Sequence, residues 1–88
     1  MNYRTSKKFE KQVIQLTDKN ILIEVDKALE DISQATIIGD ISNIKKMAGF
    51  KNAYRIKIKD YRIGLYLIDD EVFIEMFGHR KDIYKKFP

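Results

Sequence analysis

The sequence has no cysteine, a single histidine, a single proline and four glycines among its 88 residues. Without cysteine there is no disulfide staple, no thiolate metal ligand and no cysteine nucleophile. Small secreted domains often depend on such staples, so their absence points to a cytoplasmic home. The scarcity of Pro and Gly, beside 44% apolar and 34% charged residues, argues against a disordered chain. No long apolar run is present. The longest, Ile63 to Ile68, is too short to cross a membrane, and Met1 to Lys8 leads into no apolar segment. Neither a signal peptide nor a membrane partner is therefore expected. A glycine-rich phosphate loop, zinc-ligand spacing and a Ser/His/Asp arrangement are all missing. Asp69-Asp70-Glu71 is the one acidic cluster that could suggest a cation, and it reads better as a hairpin turn. Neither a metal nor a cofactor is expected.

What is present suits one α+β domain spanning residues 1–88. A domain of this size buries only about 60% of the surface its unfolded chain exposes, so a partner that covers apolar surface would stabilise it. The net charge is +4, unevenly placed: residues 1–44 carry six basic and seven acidic side chains, residues 45–88 eleven and six. The excess in the second half suggests a polyanion, either nucleic acid or an acidic protein, although a basic soluble surface would look the same.

Hydrophobic spacing divides the chain. Asn2 to Thr5 suits a short strand. Ser6 is a candidate N-cap for a helix with Phe9, Val13 and Ile14 on one face and Leu16 near its edge. Asp18 is a second candidate cap, followed by Ile21, Leu22, Val25, Ala28, Leu29 and Ile32 at helical spacing. Ser33 to Asn43 reads as a loop whose isoleucines pack on the core, Ile44 to Met47 as the start of a strand, and Gly49 to Asn52 as a turn. After residue 53 the period becomes two. Tyr54, Ile56 and Ile58 alternate with Arg55, Lys57 and Lys59. Tyr61, Ile63, Leu65 and Leu67 alternate with Arg62, Gly64, Tyr66 and Ile68. Val72, Ile74 and Met76 alternate with Phe73, Glu75 and Phe77. Gly78 is expected to end the last strand before a short helix from Arg80 to Phe87. The expected order is β-α-α-β-β-β and a short terminal helix, with two antiparallel N-terminal helices packed on one face of a small antiparallel sheet.

The other sheet face, expected to be uncovered, would display Arg55, Lys57, Lys59, Arg62, Tyr66, Glu75 and Phe77, with His79, Arg80, Lys81 and Tyr84 just beyond. Like charges at alternate strand positions repel each other. A phosphate chain would turn that clustering into counterion release and charge-assisted hydrogen bonds. Interleaved aromatics can stack on unpaired bases. Two readings stay open for two of these residues. Arg62 either pairs with Glu75 across the sheet or serves a ligand. Tyr84 either caps the core with Phe87 or faces the basic surface.

In order along the chain, Lys45–Phe50, Ala53–Ile58, Asp60–Ile63 with Tyr66, and Gly78–Tyr84 resemble the RelE/ParE superfamily, the toxic halves of bacterial type II toxin–antitoxin pairs. The overlap in length and element order covers nearly the whole chain, and the second half carries the specific motifs. The resemblance implies a RelE-like fold and a cognate antitoxin as partner. One branch cleaves mRNA, often on the ribosome; the other poisons DNA gyrase without catalysis of its own. The nuclease chemistry is attack by a ribose 2′-hydroxyl on the adjacent phosphate. It asks for a base, cations around the dianionic transition state and an acid for the leaving oxygen. Carried onto this sequence, the family pattern falls on Arg55 and Lys57, on Arg62, and on Arg80 and Tyr84. It would make Lys57 and Arg62 phosphate clamps, Arg80 a clamp or proton donor, and Tyr84 a stacking platform. Arg55, Lys59 and Lys81 would contact RNA. Where well-known members place a lysine, this chain has Arg55, a poor base. His79 is then the candidate base or acid. Arg62 and Arg80 favour the nuclease branch. A gyrase inhibitor and a non-toxic RNA-binding member are the alternatives.

Overall fold

The computed structural model describes Met1–Pro88. Its elements are β1 (Tyr3–Thr5), α1 (Lys7–Ile14), α2 (Lys19–Gln34), a 3₁₀ turn (Ile38–Asp40), β2 (Ile44–Lys46), β3 (Ala53–Ile58), β4 (Tyr61–Ile68), β5 (Glu71–His79) and α3 (Arg80–Lys86). The expected α+β order is found with one strand added, β2, at the segment whose residues suit the start of a strand. Ser6 caps α1, its hydroxyl accepting the Phe9 N–H, and the Asp18 carboxylate caps α2 by accepting from Asn20 and Ile21. No helix is long and apolar enough to cross a membrane.

The strands form one sheet in the order β1-β5-β4-β3-β2. The meander β2 to β5 is antiparallel as expected, but β1 runs parallel to β5, so the five-stranded sheet is mixed. Asp69 and Asp70 alone connect β4 to β5, and both are left-handed, with φ of 51° and 63°. That is the backbone of a type I′ hairpin, in which Asp is tolerated because its short polar side chain suits the left-handed region. Lys59 and Asp60 connect β3 to β4, with Lys59 at φ 52°.

The main core lies between the sheet and the first two helices. Ile56, Ile58, Ile63, Leu65, Val72, Ile74 and Phe77 pack there with Phe9, Ile21, Val25 and Ile32. Two isoleucines expected inside are outside: Ile14, the last residue of α1, is 81% exposed and Ile37 is 61% exposed. Ile14 lies off the inward stripe of α1, which runs through Phe9, Gln12 and Val13 and on to Leu16.

A second difference has larger consequences. Unbroken alternation would put Met76 with Ile74 and Phe77 with Phe73. The register instead pairs Ile74 with Leu65 and Met76 with Gly64, leaving Glu75 as an extra residue in a bulge. Everything after it changes face, so Phe77 enters the main core and Met76 leaves it. Gly78 does not end the strand, which runs on to His79. Two side chains from the first helical region brace the bulge: the Ser6 hydroxyl donates to the Glu75 carbonyl at 2.5 Å, and the Gln12 Oε1 accepts the Phe77 N–H at 2.8 Å. Replacing Gln12 by Ala would leave that amide unpaired, which costs about 1–3 kcal/mol. In urea denaturation, Gln12→Ala is expected to lose that much and Gln12→Glu, which keeps an acceptor, distinctly less. A Gln12→Ala loss no larger than that of the exposed Lys11→Ala would remove Gln12 from this role.

Candidate nucleic-acid interface

Cross-strand register defines the face turned away from α1 and α2. Arg55 lies opposite Lys45 on one side and Gly64 on the other, Lys57 opposite Arg62, Ala53 opposite Tyr66, and Met76 opposite Gly64. Directly opposed residues in an antiparallel pair point to the same side. Lys45, Arg55, Lys57 and Arg62 therefore share this face.

The face is not uncovered. α3 folds back over part of it, and its Ile83, with Phe87 just past its end, joins Ala53 and Met76 in a second buried cluster, against which Met47 and Tyr66 pack. Gly64 makes this possible. A Cβ placed there would lie 2.7–2.9 Å from three atoms of the Phe87 ring, closer than carbon atoms approach. The ring thus lies directly on the backbone of the central strand. Ile83 and Phe87 take the inward side of α3, which leaves Tyr84 outside at 52% exposure. Its ring faces the basic surface, with the Arg55 guanidinium carbon 5.7 Å from its centroid. That settles the two-way reading of Tyr84.

Arg62 is the most unusual residue of the face. It is only 7% exposed, and no acidic group lies within salt-bridge distance. The pairing with Glu75 does not form, because the cross-strand partner of Arg62 is Gly78, three residues further along β5. One terminal nitrogen of Arg62 donates to the carbonyl oxygens of Lys59 (2.8 Å) and Tyr61 (2.9 Å), while Nε is buried with no hydrogen-bond partner. Burying a cation without a counter-charge is costly unless something else supplies one. Lys57, directly across, adds a second positive charge and is exposed. Of the protein's salt bridges, Arg4–Glu71 lies at the β1 edge of the sheet and Lys27–Glu24 on α2, and neither involves Arg55, Lys57 or Arg62.

Arg80 opens α3 at the rim of the face. Its N–H donates to the Asp60 carbonyl at 2.7 Å. The two-residue β3–β4 turn therefore holds Arg62 through the Lys59 carbonyl and Arg80 through the Asp60 carbonyl. The side chain of Lys59 is exposed at this turn, and Lys81 is exposed in the first turn of α3. His79 lies elsewhere. As the cross-strand partner of Tyr61 it sits on the side of the main core, with its ring 5.7 Å from Tyr61 in an edge-on arrangement, and Tyr61 stacks on Phe77 at 5.1 Å. Its Nδ1 accepts the Lys81 N–H at 3.3 Å and caps α3.

The structure thus brings Arg55, Lys57, Arg62 and Tyr84 onto one face, puts Lys59, Arg80 and Lys81 at its edge, and turns His79 toward the opposite side. Chemically, the arrangement can offer cations to phosphate groups and an exposed ring to a flat group. Sequence reasoning missed the supports of the site. Of these, only Gly64 left a signal, since a glycine inside an alternating strand marks a place where something approaches the backbone closely.

No protein-family model matches the sequence. Toxin RelE3 of Methanocaldococcus jannaschii is 36% identical over 61 residues, which are 68% of this chain and 69% of that protein. The RelB–RelE antitoxin–toxin complex from Methanococcus jannaschii contains a chain that superposes with a TM-score of 0.77 at 29% identity, covering 96% of this chain and 98% of that one. A chain of the intact E. coli RelBE toxin–antitoxin complex shares the fold, with a TM-score of 0.69 at 22% identity, covering 89% of this chain and 94% of its own.

Proposed function

The chain belongs to the RelE toxin family, as the toxin half of a toxin–antitoxin pair, and we propose that it acts as an mRNA endoribonuclease. The observation that carries this reading is Arg62: a buried guanidinium with an unpartnered Nε and no acidic neighbour, set among further cations beside an exposed ring. Such a group gains most from a ligand that brings negative charge with it. A phosphodiester entering its pentavalent transition state does so, and acquires more charge there than in the ground state.

In this reading the ribose 2′-hydroxyl attacks the adjacent phosphate and the 5′-oxygen leaves, so side chains need only move protons and stabilise charge. Lys57 and Arg62 clamp the phosphate. Arg80 contacts it from the rim or protonates the leaving oxygen. Tyr84 stacks on a base, and Lys59 and Lys81 contact the strand. His79, immediately before Arg80 and with no hydrogen bond on Nε2, is the proton-transfer residue. It lies on the side of the sheet away from Lys57 and Arg62, so the RNA would have to pass over the α3 end of the sheet to reach it. The partners are a cognate antitoxin, mRNA and the ribosome, in the cytoplasm. The antitoxin would supply the missing negative charge to the basic face and cover apolar surface such as Tyr84. The solved relatives that are RelB–RelE complexes support that partnership.

The test is expression without antitoxin, with mapping of mRNA 5′ ends in the arrested cells beside the Arg62→Ala/His79→Ala/Arg80→Ala variant. New ends at codon-phased positions, absent with the variant, are expected. Arrest with intact mRNA and broken DNA would move the target to gyrase. No arrest would reduce the protein to a non-toxic RNA binder.

A further inference from the structure

Arg55 occupies a position where a phosphate contact is the obvious role, yet its surroundings describe another. Its cross-strand neighbours are Lys45, which repels it, and Gly64, which offers no side chain. No carboxylate lies within salt-bridge distance. The attractive group beside it is the Tyr84 ring, with the guanidinium carbon 5.7 Å from the centroid, inside the range of a cation–π contact. Arg55 is half-buried, whereas Lys57, two residues along the same strand face, is exposed. Tyr84 is otherwise held only by its place on a seven-residue helix, and half of its surface is open.

We propose that Arg55 is a positioning residue that holds the Tyr84 ring by one face, so that the other face forms a fixed stacking wall for an unpaired base, with purines favoured over pyrimidines. The inference rests on the RNA-binding reading above. A planar guanidinium can lie against a ring and limit its rotation, which a lysine ammonium does not do. A ring held in place loses less freedom when a base stacks on it, so the hold appears as affinity. The cation also draws electron density toward the covered face. That leaves the open face better matched to the larger, electron-rich purine ring system, and base preference in such sites follows stacking strength.

The chain has no tryptophan, so Tyr84→Trp places a single indole emitter at the wall. The experiment titrates this variant with short single-stranded oligopurine and oligopyrimidine RNA made non-cleavable by 2′-O-methylation. It is repeated with Arg55→Gln and Arg55→Lys added, following indole quenching over a range of salt. In the parent, oligopurine is expected to quench and to bind more tightly than oligopyrimidine. Arg55→Gln is expected to shift the emission of the free protein, to weaken oligopurine binding five- to tenfold and oligopyrimidine binding less, and to leave the salt slope unchanged. Arg55→Lys should restore little of this. Thermal unfolding should be the same in all three.

A direct phosphate contact would give a different pattern. Both oligomers would weaken equally, the salt slope would fall by about one unit, and the free emission would stay put. That outcome overturns the positioning role and leaves RNA binding intact. Absence of quenching by either oligomer in the parent overturns both.

Discussion

Arg62→Met is expected to slow RNA cleavage by orders of magnitude while leaving the protein at least as stable as the parent. The two halves of this expectation have one cause. Arg62 is 7% exposed, has an unpartnered Nε and lacks an acidic partner, so the folded protein carries the cost of a buried, uncompensated charge. Replacing buried charges by apolar groups of similar volume is often neutral, or stabilising by about 1–4 kcal/mol. Methionine fills an irregular space without strain. The two hydrogen bonds lost, to the Lys59 and Tyr61 carbonyls, offset part of that gain, and the exposed turn lets water reach the Lys59 carbonyl. Catalysis moves the other way. Removing one fixed donor aimed at transition-state charge lowers kcat by about 10²- to 10³-fold. Thermal unfolding and single-turnover cleavage of an oligonucleotide, measured on the same preparation, decide the matter. A variant that unfolds many degrees earlier would make Arg62 a structural residue, held for its carbonyl contacts. A stable variant that cleaves normally would remove it from the reaction.

The second large effect is expected at Gly64. An added Cβ would meet three atoms of the Phe87 ring at 2.7–2.9 Å, and that ring is itself only 4% exposed, with no room to retreat. The strand cannot yield either, since β4 is hydrogen-bonded on both sides. Gly64→Ala should therefore push α3 off the sheet, at a cost in the range of about 1–3 kcal/mol for overpacking. Arg80 and Tyr84 ride on α3, so activity should fall further than stability. The cause can be isolated with a double-mutant cycle. Phe87→Ala is destabilising by itself, because it empties part of the Ala53, Met76 and Ile83 cluster. In that background the ring is gone, and Gly64→Ala should add almost nothing. Urea denaturation of the four proteins gives the coupling energy directly. Additive costs would mean that Gly64 is needed for some property of the strand other than contact with Phe87.

These two residues show where legibility ends. Sequence patterning alone supplied the order of elements, the caps at Ser6 and Asp18, the hairpin at Asp69-Asp70 and the alternation that lines up Arg55, Lys57 and Arg62. Each of these depends on residues a few positions apart, and a period of two or of 3.6 is written into the chain wherever one face is buried. It also named Arg80 and Tyr84, through resemblance. What the tertiary structure decided has in common a dependence on distant parts. The bulge at Glu75 is held by Ser6 and Gln12, more than sixty residues earlier in the chain, and it alone exchanges the faces of Met76 and Phe77. The burial of Arg62 follows from where the β3–β4 turn places the Lys59 carbonyl. The side on which His79 lies follows from the register of β5 against β4. The partial cover of the basic face follows from a glycine that admits a ring from the end of the chain. Alternation along a strand says which residues share a face only while the register is unbroken, and register is set by pairing partners that no local window contains.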